Sequence, residues 1–156
     1  RLDPVAPAES RPDADRAAEE AAGELREIDS SFNSTLSVSL SRNPEFTRGM
    51  KVTATVPCSA GVEEVRRLYN EAYSDHSFTF VVDGEVSMRE VSNTNKCLIR
   101  IEGTSSDLSE PMSRPGVKIT LVLDNIVKGG AGNAVHCMNL LFGLSERTGL
   151  ALKAAL

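Results

Sequence analysis

Apolar and polar residues alternate with period two in several stretches of this chain and with helical spacing in others. Leu36, Val38 and Leu40 alternate with Ser37, Ser39 and Ser41, which predicts a half-buried strand. After the Asn43-Pro44 break, Met50, Val52, Ala54 and Val56 alternate with Lys51, Thr53 and Thr55, a second strand. Val62, Val65, Leu68, Tyr69 and Ala72 then fall on one stripe, so SAGVEEVRRLYNEAY (Ser59–Tyr73) reads as an amphipathic helix. Ser59 can cap it, with Glu63 and Glu64 near its positive end. Short strands are predicted at FTFVVD (Phe78–Asp83) and KCLIRIEG (Lys96–Gly103), and TSSDLSEPMSRPG is a loop by composition. VKITLVLD (Val117–Asp124) alternates Val117, Ile119, Leu121 and Leu123 against Lys118 and Thr120. The last helix presents Ala131, Ala134, Val135, Met138, Leu141 and Phe142 on one side.

Lone helices between groups of strands predict an α+β fold, a mixed and largely antiparallel sheet with helices packed on one face. Val81, Leu98 and Val122 fall opposite the main apolar sets, which suggests apolar surface covered by another chain. No internal repeat is present. Before the first strand the pattern changes. Residues 1–13 are proline-rich and polar and are expected to be extended or disordered unless a partner holds them. Ala14–Ile28 has strong helix formers interrupted by Gly23, and its apolar face is mostly alanine. It reads as a solvated helical arm or as a contact with another subunit. The chain thus divides into an arm (residues 1–30) and a domain (residues 31–156).

Charge sharpens that division. Residues 1–30 hold nine acids and four arginines, whereas the remaining 126 residues hold 13 bases and 13 acids. A neutral body with an acidic arm argues against nucleic acid and against an anionic membrane surface. No apolar run approaches the roughly 18–20 residues that span a bilayer, so direct membrane insertion is not expected. The chain opens on Arg1 with no apolar signal segment after it, which fits a mature product, a processed organellar form or a piece of something longer. Cys58, Cys97 and Cys137 are an odd count beside apolar runs and read as buried thiols of a reducing interior, in an organellar matrix or the cytoplasm. None has metal-ligand spacing, so no metal is expected.

Three stretches are specific enough to carry a resemblance: TRGMKVTATVPCSAGVEEVRRLYNEAY, SNTNKCLIRI and LVLDNIVKGGAGNAVHCMNLLFGLSERTGL. Together they resemble the C-terminal half of N-acetyl-γ-glutamyl-phosphate reductase. The family pattern is close to D-N-L-V-K-G-A-A-G-Q-A, and here it reads DNIVKGGAGNA. Arg48-Gly49 opening a strand, and Asn95 followed by Cys97, agree in order and spacing. The resemblance implies an enzyme of arginine biosynthesis that uses NADPH to reduce an acyl phosphate to a semialdehyde. It implies an aspartate-semialdehyde-dehydrogenase-like architecture, in which an N-terminal Rossmann domain carries the cofactor and the cysteine nucleophile. The C-terminal domain, of glyceraldehyde-3-phosphate-dehydrogenase-like fold, supplies substrate contacts, a catalytic histidine and the oligomer interface. This chain is similar to that second domain.

That chemistry needs a thiolate, a base and a hydride donor. The GGAG run is not the G-x-G-x-x-G of a dinucleotide turn, so no cofactor is expected for this chain, although the family uses NADPH. None of the three cysteines matches the family nucleophile. Ala22, Gly23 and Glu24 stand where the family resembles H-R-H, and Arg42 stands at the histidine of a P-H-L-x-P-M-x-R-G-like pattern. His76 and His136 remain, each read as a surface or core residue. No catalytic residue is assigned. By the resemblance, Arg48, Gly49, Asn125, Lys128, Gly129 and Gly130 are the substrate- and cofactor-side remnants. Arg48 suits phosphate or carboxylate, with a salt bridge at the strand start as the alternative; a solvated lysine is the alternative at Lys128. The leading expectation is a non-catalytic domain acting as a structural subunit of a larger assembly or a homo-oligomer. The alternatives are a reductase fragment whose Rossmann domain lies elsewhere, and a sensor of an arginine-pathway metabolite through Arg48 and Lys128.

Overall fold

The computed structural model describes residues 11–31, 37–42, 48–104 and 116–153. Five strands, β1 (Ser37–Arg42), β2 (Met50–Pro57), β3 (Thr79–Val81), β4 (Cys97–Gly103) and β5 (Gly116–Leu123), form one sheet in the order β1-β2-β5-β4-β3. Neighbours are antiparallel except β3, which runs parallel to β4. Helices α1 (Arg11–Ile28), α2 (Val62–Tyr73), α3 (Met88–Val91) and α4 (Gly132–Leu141) accompany the sheet, and a π-helical turn over Val127–Ala131 leads into α4. The α+β class and the mixed, mostly antiparallel sheet are those that the alternation predicts.

Register explains the core. Val52, Leu121, Ile99 and Val81 are paired across neighbouring strands, and Ala54, Ile119 and Ile101 form the next row. Ile99, Ile101, Cys97 and Val117 are buried under Val65 of α2, with Val62, Tyr69 and Tyr73 of the same helix packed around them. Each large aliphatic buried here contributes about 1.5–3 kcal/mol relative to exposure. Arg66 locks the helix in place: its guanidinium donates to the Ile101 carbonyl at 3.0 Å and pairs with Glu63 at 2.7 Å.

The opposite face departs from expectation. Val122 is fully buried there, not by a second chain but by Met88 and Val91 of α3, with Leu98 and Val86 alongside. Val81 belongs to the first cluster, because β3 pairs Val81 with Ile99. Helix α3 is itself absent from the sequence reading, although Ser87 and Glu90 form a reciprocal capping box around its single turn.

Other boundaries move for local reasons. Helix α2 begins at Val62 behind Gly61, which makes no side-chain cap bond, so Ser59 does not cap it. Helix α1 starts at Arg11, earlier than predicted, since Pro12 lies in a first turn whose N–H groups have no intrahelical acceptor anyway. Strand β3 is only three residues long. Most of the TSSDLSEPMSRPG loop, Leu36 and the Asn43-Pro44 break lie outside the described residues. Among the described residues, no helix is long and apolar enough to cross a membrane.

Candidate functional site

Where β5 ends, the chain must reverse into α4, and Asp124 organises the turn. Its side chain is 0% exposed. One carboxylate oxygen, Oδ1, accepts the backbone N–H groups of Ile126 (2.9 Å) and Val127 (2.8 Å). The other, Oδ2, accepts the N–H of Asn93 at 2.7 Å. Its main-chain carbonyl accepts from Gly129 N at 2.9 Å. The turn continues with π spacing, Ala131 N donating to the Ile126 carbonyl and Gly132 N to that of Val127. The amides of Ile126, Val127, Gly129, Ala131 and Gly132 are therefore spent on the turn's own carboxylate and carbonyls. Those five amides are therefore not available to a phosphate.

Two other segments converge on the turn. Gly49 donates its N–H to Asn125 Oδ1 at 2.9 Å, tying the start of β2 to the end of β5. It has φ +103°, and a Cβ there would lie 3.0 Å from Met88 Cβ, so glycine is required both by conformation and by the contact with α3. Asn93, at φ 60°, adopts the left-handed conformation that asparagine tolerates and aims its amide at Asp124. Next to it Asn95 is buried, and neither amide atom of its side chain has a hydrogen-bond partner.

Arg48 sits at the rim. Its side chain is 37% exposed, and its guanidinium lies 3.9 Å from Asp124 Oδ2, an ion pair without a hydrogen bond. Both Asp124 oxygens already accept backbone N–H groups. Among the described residues, the arginine's donors are thus held beside the loop by charge with no hydrogen-bond acceptor, and they suit a second anion.

Of the six residues singled out by resemblance, Arg48, Gly49 and Asn125 come together here. Gly129 and Gly130 are exposed parts of the π turn, and Lys128 points elsewhere, its Nζ 5.9 Å from the centre of the Phe78 ring. The histidines lie apart from this site. His76 meets Tyr73 edge-on, and His136 packs edge-on against Phe78 with Nε2 3.0 Å from Glu146 Oε2. That hydrogen bond holds the Glu146 carboxyl below its ordinary range, with Ser77 and His76 adding to the effect. The three cysteines are free, but only Cys97 is buried; Cys58 is half-buried and Cys137 is exposed on α4, contrary to the reading of three buried thiols. Burial pushes the Cys97 thiol up, partly offset by Lys128. No group of His, Cys, Asp and Glu among the described residues could hold a metal.

Sequence reasoning missed three members of this site: Asp124 as the turn's cap, Asn95, and Gly132. A Cβ on Gly132 would come within 2.6 Å of Asn95 Oδ1 and 2.7 Å of the Val127 carbonyl. An aspartate two and three residues before otherwise unpaired amides is a cap signal readable in the sequence. Asn95 is marked only through the resemblance, by its place before Cys97, and not as a member of this site.

A family model described as the dimerisation domain of semialdehyde dehydrogenase matches residues 18–109. The chain belongs to this family. N-acetyl-gamma-glutamyl-phosphate reductase of Parabacteroides distasonis is 40% identical over 129 residues, 83% of this chain and 37% of the relative. The reductase of Christiangramia forsetii is 44% identical over 109 residues, 70% of this chain and 31% of the relative. The chain thus spans about a third of the length of the curated relatives it matches. Aspartate semialdehyde dehydrogenase II of Vibrio cholerae shares the fold, with a TM-score of 0.56 over 92% of this chain and 40% of that one at 18% identity.

Proposed function

We propose that this chain supplies the C-terminal, dimer-forming and substrate-side part of an N-acetyl-γ-glutamyl-phosphate reductase, the NADPH-dependent reduction of an acyl phosphate. The observation that carries the reading is Arg48, half-exposed beside a carboxylate whose oxygens already accept backbone amides, at a loop whose DNIVKGGAGNA resembles the family's D-N-L-V-K-G-A-A-G-Q-A. Arg48 binds the phosphate or carboxylate of the substrate; Asn125 and Gly49 set the loop against it. Asn125, Gly129 and Gly130 form the edge nearest the cofactor, whose phosphates are held by another part of the enzyme. The domain acts as a homo-oligomer, in keeping with the description of the matched family. Helix α1 (Arg11–Ile28) is an arm laid beside β1. The bacterial relatives support a cytoplasmic rather than an organellar setting.

The reading as a non-catalytic structural subunit draws no support from the relatives, which carry the names of reductases. Replacing the matched region of the Parabacteroides distasonis reductase with this chain discriminates the two. The proposed function expects NADPH-dependent turnover of N-acetyl-γ-glutamyl phosphate by that fusion. It also expects Arg48→Met to raise KM about 10- to 100-fold, the worth of a charge-assisted hydrogen bond. A folded fusion without turnover sinks the reading in favour of the structural one.

A further inference from the structure

Beneath the turn that carries the site lies a side chain whose polar atoms the fold leaves unused. Asn95 is 1% exposed, and neither Oδ1 nor Nδ2 has a hydrogen-bond partner among the described residues. Its neighbours in sequence are fully engaged. The Asn93 amide donates to Asp124 Oδ2, and Thr94 Oγ1 donates to the Val91 carbonyl at 2.7 Å while accepting from Lys96 N at 3.2 Å. A buried amide without a partner costs stability, whereas an apolar side chain of similar size in its place costs little or none. The resting packing therefore gives no reason for asparagine here.

The side chain of Asn95 is aimed at the junction between the π turn and α4. A Cβ built on Gly132 would lie 2.6 Å from Asn95 Oδ1 and 2.7 Å from the Val127 carbonyl oxygen, so two oxygens flank one glycine. The Gly132 amide donates to Val127, which closes the π turn, and Asn95 Oδ1 is left without a donor. The turn is anchored at its start, where Asp124 holds Ile126 and Val127, and at its end in α4. Its middle is less constrained. Gly130 leaves helical geometry (φ −151°, ψ −106°), Gly129 and Gly130 are exposed, and a Cβ on either would meet nothing closer than 3.4 Å. A π turn holds one residue more than an α turn, so moving one amide to another acceptor rewinds it locally.

We propose that Asn95 is a positioning residue for the site and acts as a second acceptor for the Gly132 amide. With that amide on Val127 the turn is wound as described; with it on Asn95 the turn opens, and Gly129 and Gly130 move relative to Asn125. Neither arrangement leaves the Gly132 amide unbonded. The two arrangements stand on the fold alone, and their effect on turnover rests on the reading proposed above. Asn95→Leu is made both in the 156-residue chain and in the fusion already described. In the chain, the variant is expected to melt at or above the temperature of the parent. Relaxation dispersion is expected to show microsecond-to-millisecond exchange at the amides of residues 129–132 in the parent and none in the variant. In the fusion, Asn95→Leu is expected to lower kcat about ten-fold and to leave KM for the acyl phosphate within about two-fold, because Arg48 is untouched. A variant that melts below the parent means that Asn95 is bonded in the resting fold, directly or through a buried water, and overturns the proposal. So does a parent without exchange at those amides, or exchange that persists in the variant. An unchanged kcat in the fusion, with the exchange gone, overturns the positioning role. An inactive parent fusion, with exchange in the chain that Asn95→Leu abolishes, counts against the proposed function and supports the second arrangement.

Discussion

Asp124 concentrates the local energetics because one buried carboxylate satisfies three backbone amides from two segments of chain. Asp124→Asn keeps the shape but turns an amide NH2 toward at least one of those donors, so it is expected to cost about 3 kcal/mol in urea unfolding. Arg48→Met leaves those bonds intact and is expected to change stability by under about 1 kcal/mol. The glycines of the loop separate in the same way. Gly132→Ala forces a methyl against Asn95 and the Val127 carbonyl and is expected to cost about 2 kcal/mol. Gly129→Ala meets nothing closer than 3.4 Å and is expected to stay within about 0.5 kcal/mol of the parent. Thiol chemistry follows burial: Cys137 is expected to react with a disulfide reagent without denaturant, and Cys97 only on unfolding. Since the folded-state value of Cys97 is raised, its contribution to stability is complete below the unfolded thiol's value and is lost as pH rises through the folded one. Raising the pH across that window therefore narrows the gap in reactivity between the two cysteines.

At the scale of elements, alternation was enough to place β2, β4 and β5, because each has one face on the main core and a two-residue period leaves little freedom. It failed for α3, whose four residues are too few to show a period. The information was present in another form, Ser87-x-x-Glu90 ahead of Val91, and the energy of that short helix resides in its cap. Ser87→Ala is expected to cost about 1 kcal/mol and to raise exchange at the amides of Met88–Val91, measurable by hydrogen exchange mass spectrometry. For α4 the helical period was legible and its direction was not. An apolar stripe says that a helix has a covered side, but not whether the cover lies in the same fold. Here Asn139 takes the inward side because its amide donates to the carbonyls of Glu146 (3.1 Å) and Thr148 (2.9 Å), closing the turn that follows the helix. Of the candidate site, Arg48, Gly49 and Asn125 were reachable through their motif. The carboxylate that leaves Arg48 available was not, because the bond from Asn93 crosses 31 residues of sequence.

For the whole molecule the decisive feature is strand order, which no local pattern encodes. The last strand in sequence is the middle one in space: β5 pairs with β2 over Met50–Pro57 and with β4 over Cys97–Gly103. The pairing of β2 with β5, and hence the union of two halves of the sheet, spans some of the longest separations in the chain. The match to the dimerisation domain ends at residue 109, before β5 begins at Gly116. A chain cut at 109 would keep every residue of that match and lose the strand that joins β1–β2 to β4–β3. It would also lose Val117 from the main core and Val122 from the α3 cluster, both buried. Two separate strand pairs, one of them ending in the three-residue β3, cannot bury enough apolar surface to hold their order. Residues 1–109 alone are therefore expected to lack a cooperative thermal transition and to show poorly dispersed amide resonances. Adding residues 110–125 as a separate peptide is expected to restore sheet signal only if β5 inserts between β2 and β4. A cooperative transition in the 1–109 chain without that peptide would mean that β2 and β4 can pair directly, and that the order β1-β2-β5-β4-β3 is not what holds the sheet together.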